Sequence, residues 1–417
     1  MSEWVTKQLG ALVDFQKGRK VDTSPFRLAG YERYLGAGSL AGDHDGYASA
    51  FLAVQSSEKD VLMLWDGERS GLVGHNLAGI VSSTVSRLTP NDKITSSLLY
   101  YYLLFNFEWI QNRRTGTGVP HVPKDLAKIL RLKYPVDEKY QKKLATILAT
   151  IDQAIEKTEA LIHKYQQIKA GLMHDLFSRG LTADGKLRPP REQAPEMYQE
   201  TPIGWIPSEW GCGPLSKYLN GSPKNGYSPR EIDEWDGCYA LGLGCLTVSG
   251  FRAIQLKYVS ERVALASGAL LRDGDFLISR ANTPQLVGLC GIYQDVGALC
   301  IYPDLIMRIN LNERIYSQFL EQYLLSAGVR IRLTALAVGT SSSMVKLNSK
   351  SLLNFFVAVP RKKEQKLIIQ RLDKIINYLN KLNDELEKLK QEKSGLMHDL
   401  LTGKVQVKID QKETAHD

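Results

Sequence analysis

The sequence contains little cysteine and no long apolar run. Its five cysteines among 417 residues include no pair separated by only two positions. Such an odd, dispersed set argues against a disulfide framework and against a zinc site, and it is typical of reduced thiols. No run of about 18 apolar residues is present, so no membrane partner is expected. The N-terminus lacks the apolar segment of a secretory signal peptide. We therefore expect a cytoplasmic protein.

Sequence motifs that carry catalysis are absent as well. The chain has no Walker A loop, no HExxH, no GxSxG and no Asn/Asp-Pro-Pro-aromatic motif of the amino-methyltransferases. Gly36–Gly38 and Gly242–Gly244 do not continue to GxGxxG, so we interpret both as close backbone packing rather than as cofactor loops. Ser341–Ser343 is interpreted as a polar loop. A PD-(D/E)xK nuclease is not excluded by spacing alone, although no Asp followed by Glu-x-Lys lies in a convincing strand.

Basic residues exceed acidic ones, but no segment concentrates them. The 53 Lys and Arg outnumber the 45 Asp and Glu, which gives a net charge of +8 and an isoelectric point near 9.0. That balance permits a nucleic-acid partner. Because the excess is spread along the chain without a basic tail, charge alone does not identify one.

The most informative feature is an internal repeat. Residues 169–176 read KAGLMHDL and residues 393–400 read KSGLMHDL, so the two copies are 224 positions apart. Upstream of both copies, apolar residues recur at alternating spacings of four and three. This pattern predicts two long coiled-coil helices that share one heptad phase.

The seam of these helices predicts an interface between them or with a partner. Gly171 and Gly395 are expected to let the helices approach closely, and Lys169 and Lys393 to lie at the interface. Thr158 is a mild polar break. The predicted interface residues are Leu148, Ile151, Ile155, Ile162, Gly171, Leu172, Leu372, Ile375, Leu379, Leu382, Leu386, Gly395 and Leu396.

Two histidines occupy matching positions near the ends of the predicted helices, at His174 and His398. A metal site between them is conceivable. We favour a role near the helix C-terminus, where cationic and donor side chains help to cap free carbonyls.

The segments before the helices also match each other. Trp4 corresponds to Trp210, and Tyr34–Leu40 corresponds to Ala240–Leu246. Short apolar runs bounded by Gly, Asp or Pro predict strands, so the fold class is mixed α/β (α+β). The predicted organisation is a globular domain (1–135), a long helix (136–179), a linker (180–207), a second globular domain (208–360), a second long helix (361–403) and a C-terminal tail (404–417). The proline-rich linker is expected to be extended and exposed.

Two copies of one unit imply a symmetric arrangement. If the seams pair, the helices run antiparallel and the two similar domains lie at opposite ends of a rod, related by a pseudo-twofold axis. A two-headed molecule on a spacer of fixed length suits a target with two separated half-sites. Duplex DNA is the obvious example.

Basic and amide side chains of the globular domains are the candidates for contacts to DNA. Arg280–Gln285 follows a predicted strand and combines Arg, Asn and Gln, the side chains best suited to guanine and adenine edges. The candidates in the first domain are Lys17, Arg19, Lys20, Arg69, Arg113 and Arg114. Those in the second domain are Lys224, Asn225, Arg230, Arg280, Asn282, Gln285, Arg330 and Arg332. Any single one of them is also compatible with a solvated surface residue.

With these features the chain resembles, over essentially its whole length, the specificity subunit of type I restriction-modification enzymes. The most specific pieces are the Lys-x-Gly-Leu-Met-His-Asp-Leu copies at 169–176 and 393–400. The Trp-x4-Leu openings, Leu-Gly-x-Gly strands, Gly-Thr turns and Pro-ended strands add to the resemblance. It implies two target-recognition domains that each read one half of a bipartite, asymmetric DNA site. It also implies helices that set the spacer and dock two modification subunits.

The resemblance further implies that this chain has no catalytic residues and binds no cofactor or metal. Two modification subunits would carry S-adenosylmethionine and methylate adenine N6. Two restriction subunits would add ATP- and Mg-dependent translocation and cleavage. The implied partners are therefore double-stranded DNA and these two kinds of subunit.

Other interpretations stay open. A recognition subunit of a type IIB-like system would have the same architecture with different cleavage. A coiled-coil scaffold that does not bind DNA would show no salt-dependent DNA binding. An enzyme with its own methyltransferase or nuclease activity would require the purified chain alone to modify DNA.

Overall fold

The computed structural model describes residues 3–116, 118–341 and 344–408. The chain divides into two compact units. Unit 1 comprises Met1–Ala160 with Asn383–Asp417, and unit 2 comprises Leu161–Leu382. Both boundaries fall within long helices, so each unit combines one globular domain with a segment of each helix. No helix among the described residues is long and apolar enough to cross a membrane.

Unit 1 contains eleven short strands among its described residues. They are β1 (Trp4–Gln8), β2 (Val13–Lys17), β3 (Thr23–Ser24), β4 (Tyr31–Leu35), β5 (Tyr47–Ser49), β6 (Gln55–Ser56), β7 (Val61–Leu64), β8 (Val73–His75), β9 (Gly79–Val81), β10 (Val85–Pro90) and β11 (Arg131–Pro135). The helices that begin here are α1 (Ala37–Leu40), α2 (Ser96–Phe105), α3 (Phe107–Gln111), α4 (Leu126–Ile129) and α5 (Glu138–Ser178). A 3-10 turn lies at Leu9–Ala11.

Unit 2 repeats this alternation of short strands and helices. Its strands are β12 (Tyr198–Thr201), β13 (Gly204–Pro207), β14 (Gly211–Pro214), β15 (Lys224–Asn225), β16 (Gly237–Leu241), β17 (Leu246–Thr247), β18 (Gly250–Phe251), β19 (Leu256–Ser260), β20 (Phe276–Ser279), β21 (Ala281–Asn282), β22 (Cys290–Ile292), β23 (Leu299–Ile301), β24 (Ile306–Ile309), β25 (Val338–Ser341), β26 (Met344–Lys346) and β27 (Phe356–Val359). The helices that begin here are α6 (Glu261–Ala266), α7 (Ser317–Leu325), α8 (Ala327–Thr334), α9 (Ser349–Leu353) and α10 (Lys362–Leu401). Three 3-10 turns lie at Pro195–Met197, Leu215–Tyr218 and Leu243–Cys245.

The two units share three parts of their sheet topology, which confirms the predicted internal repeat. A four-stranded sheet has the order β2-β10-β7-β8 in unit 1 and β15-β24-β20-β22 in unit 2. A two-stranded sheet joins β1 to β11 and, in unit 2, β14 to β27. One parallel pair recurs as well, β4 with β9 and β16 with β23. The predicted mixed α/β class is therefore confirmed.

One central strand of each four-stranded sheet, β7 or β20, is buried at every position because it separates two cores. Side chains alternate between the faces of a strand. Val61 and Met63 of β7 pack into the core that also contains α2, α5 and α10, whereas Leu62 packs into a second core with β4. In β20, Phe276 lies in one core and Leu277 in another.

The two long helices run antiparallel within each unit, as the heptads predict. In unit 1, Lys393 Nζ lies 2.6 Å from Asp152 Oδ1, and Lys390 Nζ lies 3.2 Å from Glu159 Oε1. In unit 2, the rings of Tyr165 and Tyr378 lie 4.5 Å apart. The buried members of the predicted interface are Leu148, Ile151, Ile162, Leu372, Leu379, Leu382 and Leu386. Ile155, Leu172, Ile375 and Leu396 are half-buried.

The expectation that Gly171 and Gly395 bring the helices close together is wrong. Both are exposed, and a Cβ added at either would have no neighbouring atom within 4 Å. In these last turns the buried positions are Met173 and Leu176, with Met397 and Leu400 in the second copy. An α-helix has 3.6 residues per turn, so the buried stripe drifts from a strict 3.5-residue seam and leaves the glycines outside.

The expectation of an extended, exposed linker at 180–207 is also wrong. Leu181, Arg188 and Ile206 are buried, and β12 pairs with β13 in a hairpin. Arg188 Nη1 lies 2.7 Å from Glu364 Oε1, and its Nη2 lies 2.8 Å from Glu209 Oε2. A buried cation must be paired, so this arginine ties the segment to unit 2.

Candidate nucleic-acid interface

The two GxG segments form caps that enclose a side chain. The amides of Gly36, Gly38 and Ser39 donate to the Asp45 carboxylate at 3.0, 3.2 and 2.6 Å. Burial raises the pKa of Asp45, but these hydrogen bonds outweigh it and the pKa is lowered. In unit 2, Gly244 N donates to Gln255 Oε1 at 2.7 Å. Both segments therefore hold one of the chain's own side chains, as the packing interpretation predicts.

In unit 1, three loops meet beside the end of the four-stranded sheet. Gly18 N donates to Val85 O at 2.9 Å, and Trp65 N donates to Thr84 O at 2.7 Å. Val122 N then donates to Trp65 O at 2.9 Å. These contacts bring together the loops 17–20 and 65–71 and a third loop, whose described residues are 113–116 and 118–121. We call these three loops the loop edge of unit 1. It contains all six candidates of the first domain.

Unit 2 has an equivalent loop edge, formed by residues 224–230, 280–287 and 344–347. Gly226 N donates to Ile306 O at 3.2 Å, Arg280 N donates to Leu305 O at 2.8 Å, and Leu347 N donates to Arg280 O at 2.8 Å. These bonds repeat the three bonds of unit 1. The loop edge contains six of the eight candidates of the second domain.

The two loop edges share a glycine at the same place. An added Cβ at Gly18 would lie 2.1 Å from Ser82 O, and one at Gly226 would lie 2.0 Å from Tyr302 O. Only glycine permits this approach of one backbone to another. The side chains immediately before these glycines, Lys17 and Asn225, are exposed at the same point of each unit.

The candidates differ in the solvent exposure of their side chains. The exposed ones are Lys17, Arg19, Lys20, Arg69, Arg113, Lys224, Asn225, Arg230 and Gln285. The half-buried ones are Arg114, Arg280, Asn282, Arg330 and Arg332. Exposed groups on one edge are accessible to phosphates and base edges, although Lys17 and Arg113 also have partners within the protein.

Five of the candidate arginines donate to backbone carbonyls, and one of them is the exposed Arg113, which donates to Trp109 O at 3.2 Å. Arg114 donates to Gln111 O at 2.9 Å and also to Glu68 O, so it joins two segments of the loop edge. Arg280 donates to Asp304 O at 3.3 Å.

The other two lie on α8. Arg330 donates to Gln285 O and Val287 O at 3.1 and 2.7 Å, which ties the helix to the loop edge of unit 2. Arg332 instead donates to Phe356 O and Tyr323 Oη, both at 3.2 Å.

The structure adds two residues that the sequence analysis missed, His121 and Lys346. Asp66 pairs with His121 as an isolated bridge, and Ala281 pairs with Lys346 at the equivalent place. Both side chains are exposed. No local sequence pattern singles them out, because each is brought to its loop edge by a pairing with a distant segment.

An ionic cluster joins the segments of the loop edge of unit 1. Lys17 Nζ lies 2.7 Å from Asp66 Oδ2, and His121 Nδ1 lies 2.7 Å from Asp66 Oδ1. Burial raises the pKa of Asp66, but hydrogen bonds from Lys17 and His121 and their positive charges lower it below its usual value. The carboxylate therefore stays ionised and holds both partners.

Nothing in the described part of the chain resembles a metal centre. No three His, Cys, Asp or Glu side chains there are close enough together to hold a metal ion. His174 and His398 are exposed. Ser178 Oγ donates to the backbone oxygen of His174 at 2.7 Å, and Thr402 Oγ1 donates to that of His398 at 2.5 Å. These hydroxyls thus satisfy carbonyls at the helix ends. Ser342 and Ser343 lie outside the described residues, so the polar-loop interpretation there stays a prediction.

Comparisons with known proteins agree with one family. Residues 1–166 match the model of the type I restriction modification DNA specificity domain. The type I restriction enzyme MjaVIII specificity subunit of Methanocaldococcus jannaschii is 29% identical over 425 residues, covering 97% of this chain and 94% of that protein. The EcoKI specificity subunit of Escherichia coli K12 is 25% identical over 180 residues, 43% of this chain and 39% of that protein.

A solved structure shares the fold. The S subunit of a type I restriction-modification system from M. genitalium superimposes with a TM-score of 0.60 at 16% identity, and the match covers 96% of each chain.

Proposed function

The chain belongs to the specificity subunits of type I restriction-modification enzymes, and from that premise we propose that it is the DNA-recognition subunit of such a complex. The observation that carries the proposal is the duplicated loop edge. Each unit presents the same three segments, held by the same backbone hydrogen bonds, with exposed basic or amide side chains. A duplex with two separated half-sites is the target that such a duplication fits.

Each loop edge reads one half of a bipartite site. Exposed lysines and arginines such as Arg19 and Lys20 contact phosphates and fix the register, whereas Asn225 and Gln285 offer amide groups to base edges. The loop edges have the same backbone but different side chains, since Asp66 and His121 of unit 1 correspond to Ala281 and Lys346 of unit 2. The two half-sites therefore differ, and the whole site is asymmetric.

The long helices set the spacer and dock the partner subunits. Helix α5 has 41 residues, which corresponds to roughly 60 Å at about 1.5 Å per residue. The exposed Gly171 and His174 recur as exposed Gly395 and His398, so one partner surface can recognise both copies. On this basis we assign two modification subunits and two restriction subunits to the complex, in the cytoplasm.

Catalysis belongs to these partners. S-adenosylmethionine is carried by the modification subunits, and ATP and Mg by the restriction subunits. The specificity subunit supplies register and sequence selection, and the modification subunit extrudes the target adenine from the duplex. A type IIB-like complex would use this chain in the same way and differ in its cleavage subunit.

The first experiment is modified-base sequencing of DNA from cells that express this chain with its cognate modification subunit, compared with cells that lack only this chain. Methyladenine in one split motif that disappears without the chain is the expected result, and it yields both half-sites and the spacer. Identical methylation with and without the chain, despite a stable complex, would reject DNA recognition and favour the scaffold.

A further inference from the structure

We propose that His121 is a specificity-determining residue of unit 1 and that Asp66 orients it toward the bases. The inference rests on the proposed function and identifies the group that does the reading. It is carried by one carboxylate that holds two exposed donors. Lys17 is 49% exposed and His121 46% exposed, while Asp66 between them is 18% exposed.

The carboxylate fixes which ring nitrogen of His121 carries a proton. A carboxylate accepts hydrogen bonds only, so the 2.7 Å contact to Asp66 Oδ1 places a proton on Nδ1. Nε2 is left as the free hydrogen-bonding atom of an exposed ring. His44 shows the opposite arrangement, because Gly46 N donates to its Nδ1 at 3.0 Å and the ring proton lies on Nε2.

The backbone around the ring is held as well. His121 and Thr115 exchange two backbone hydrogen bonds of 2.8 and 3.0 Å, and Gly67 N donates to Pro120 O at 2.8 Å. Gly116 has a φ of +105°, and a Cβ there would lie 3.2 Å from His121 Cδ2. The imidazole is therefore oriented before DNA arrives, which reduces the entropy lost on binding.

An oriented Nε2 suits base recognition, and Lys17 suits the phosphate beside it. A neutral ring accepts a hydrogen bond from the amino group of adenine or cytosine, and a protonated ring donates one to guanine N7 or O6. Lys17 uses one of its three N–H groups on Asp66 and keeps two for phosphate oxygens. One carboxylate thus couples a sequence-reading group to a register-setting group.

Unit 2 lacks this device. Ala281 occupies the position of Asp66, and Lys346 that of His121. Lys346 has no carboxylate at the paired position to orient it. Changes at Asp66 or His121 are therefore expected to act on one half-site alone, which distinguishes base reading from a general loss of affinity.

The test uses the complete complex with the cognate modification subunit, methylating a DNA library randomised in both half-sites. The variants are His121→Gln and Asp66→Asn. Asp275→Asn is the matched control for Asp66, since Asp275 lies 3.0 Å from Arg308, is also 18% exposed and lies off the loop edge. His44→Gln is the control for His121.

Both variants are expected to lower the preference for the specified base at one or two positions of the unit 1 half-site by about tenfold or more. The unit 2 half-site and both controls keep their base preferences. Unchanged preferences in stable variants, or a uniform loss at every sequence, would overturn the assignment of His121. A wild-type complex without any bipartite preference would instead overturn the proposed function, and the assignment with it.

Discussion

Gln141 and Gln365 occupy equivalent positions at the starts of α5 and α10, and each amide makes the same three hydrogen bonds. Gln141 accepts from Thr95 N at 2.8 Å and donates to Lys93 O and Pro135 O at 2.8 and 2.9 Å. The partners of Gln365 are Tyr316 N, Arg314 O and Pro360 O, each at 2.9 Å. Both side chains are fully buried. The repeat therefore preserves the joint between each globular domain and the helix that leaves it.

Replacing either glutamine is expected to destabilise the unit that contains it. Gln365→Leu removes the side-chain partner of Tyr316 N, Arg314 O and the buried Pro360 O, which lowers the free energy of unfolding by about 2–4 kcal/mol. Chemical denaturation of the purified chain measures the loss. Gln370→Leu is the control, because Gln370 is exposed on the same helix. Equal stability of the two variants would contradict the assignment.

The buried Arg188 supports a second prediction about stability. Its guanidinium is paired with Glu364 and Glu209, and Glu364 Oε1 also accepts from Trp210 Nε1 at 3.0 Å. Arg188→Met leaves the carboxylate of Glu364 without its cation, so a loss of about 3–5 kcal/mol is expected. Arg262 is exposed on α6 and provides the control Arg262→Met, for which thermal unfolding should show little change.

Sequence periodicity predicted the repeat and the helices because burial of an apolar stripe leaves a regular pattern. The same reasoning failed at Gly171 and Gly395, since the buried stripe drifts in the last turns of each helix. There α5 packs into the core of unit 2 and α10 packs into the core of unit 1. It also failed at the linker, because that segment is held in place by the buried Arg188 and its acidic partners rather than by a regular pattern of apolar residues. The sequence could not identify His121 because its proposed role depends on Asp66. That residue is 55 positions away in the sequence and contacts His121 only in the folded chain.

Acid is expected to weaken unit 1 through Asp60. Burial raises the pKa of this carboxyl, but hydrogen bonds from Thr89 and Ser57 and the charge of Arg87 lower it below the usual 3.8. A lowered native pKa adds stability above pH 3.8, and that stability is lost as the pH falls through the native pKa. The melting temperature of Asp60→Asn should therefore approach that of the wild type below pH 3.8. The control Gln8→Ala removes no ionisable group from an exposed position, so its difference from the wild type should stay constant across the same range.

The salt dependence of DNA binding tests the exposed cations of the loop edge. If Arg19 contacts one phosphate, Arg19→Ala lowers the slope of log association constant against log salt concentration by about 1. The loss of affinity should be the same for all sequences, because phosphate contacts carry no base information. Lys7→Ala, at an exposed position of β1 away from the loop edge, should keep the wild-type slope. A changed base preference in Arg19→Ala would mean that this arginine reads a base.

The length of the long helices should determine the length of the DNA spacer. Four residues inserted after Ala160, with four more after Leu382, lengthen α5 and α10 together and keep their antiparallel pairs in register within each unit. Each insertion adds roughly 6 Å, compared with about 3.4 Å per base pair of duplex. The preferred spacer should grow by one or two base pairs, while both half-sites keep their sequences. Modified-base sequencing reads both quantities in one experiment. Retained methylation at the original spacer would show that the helices do not measure the DNA.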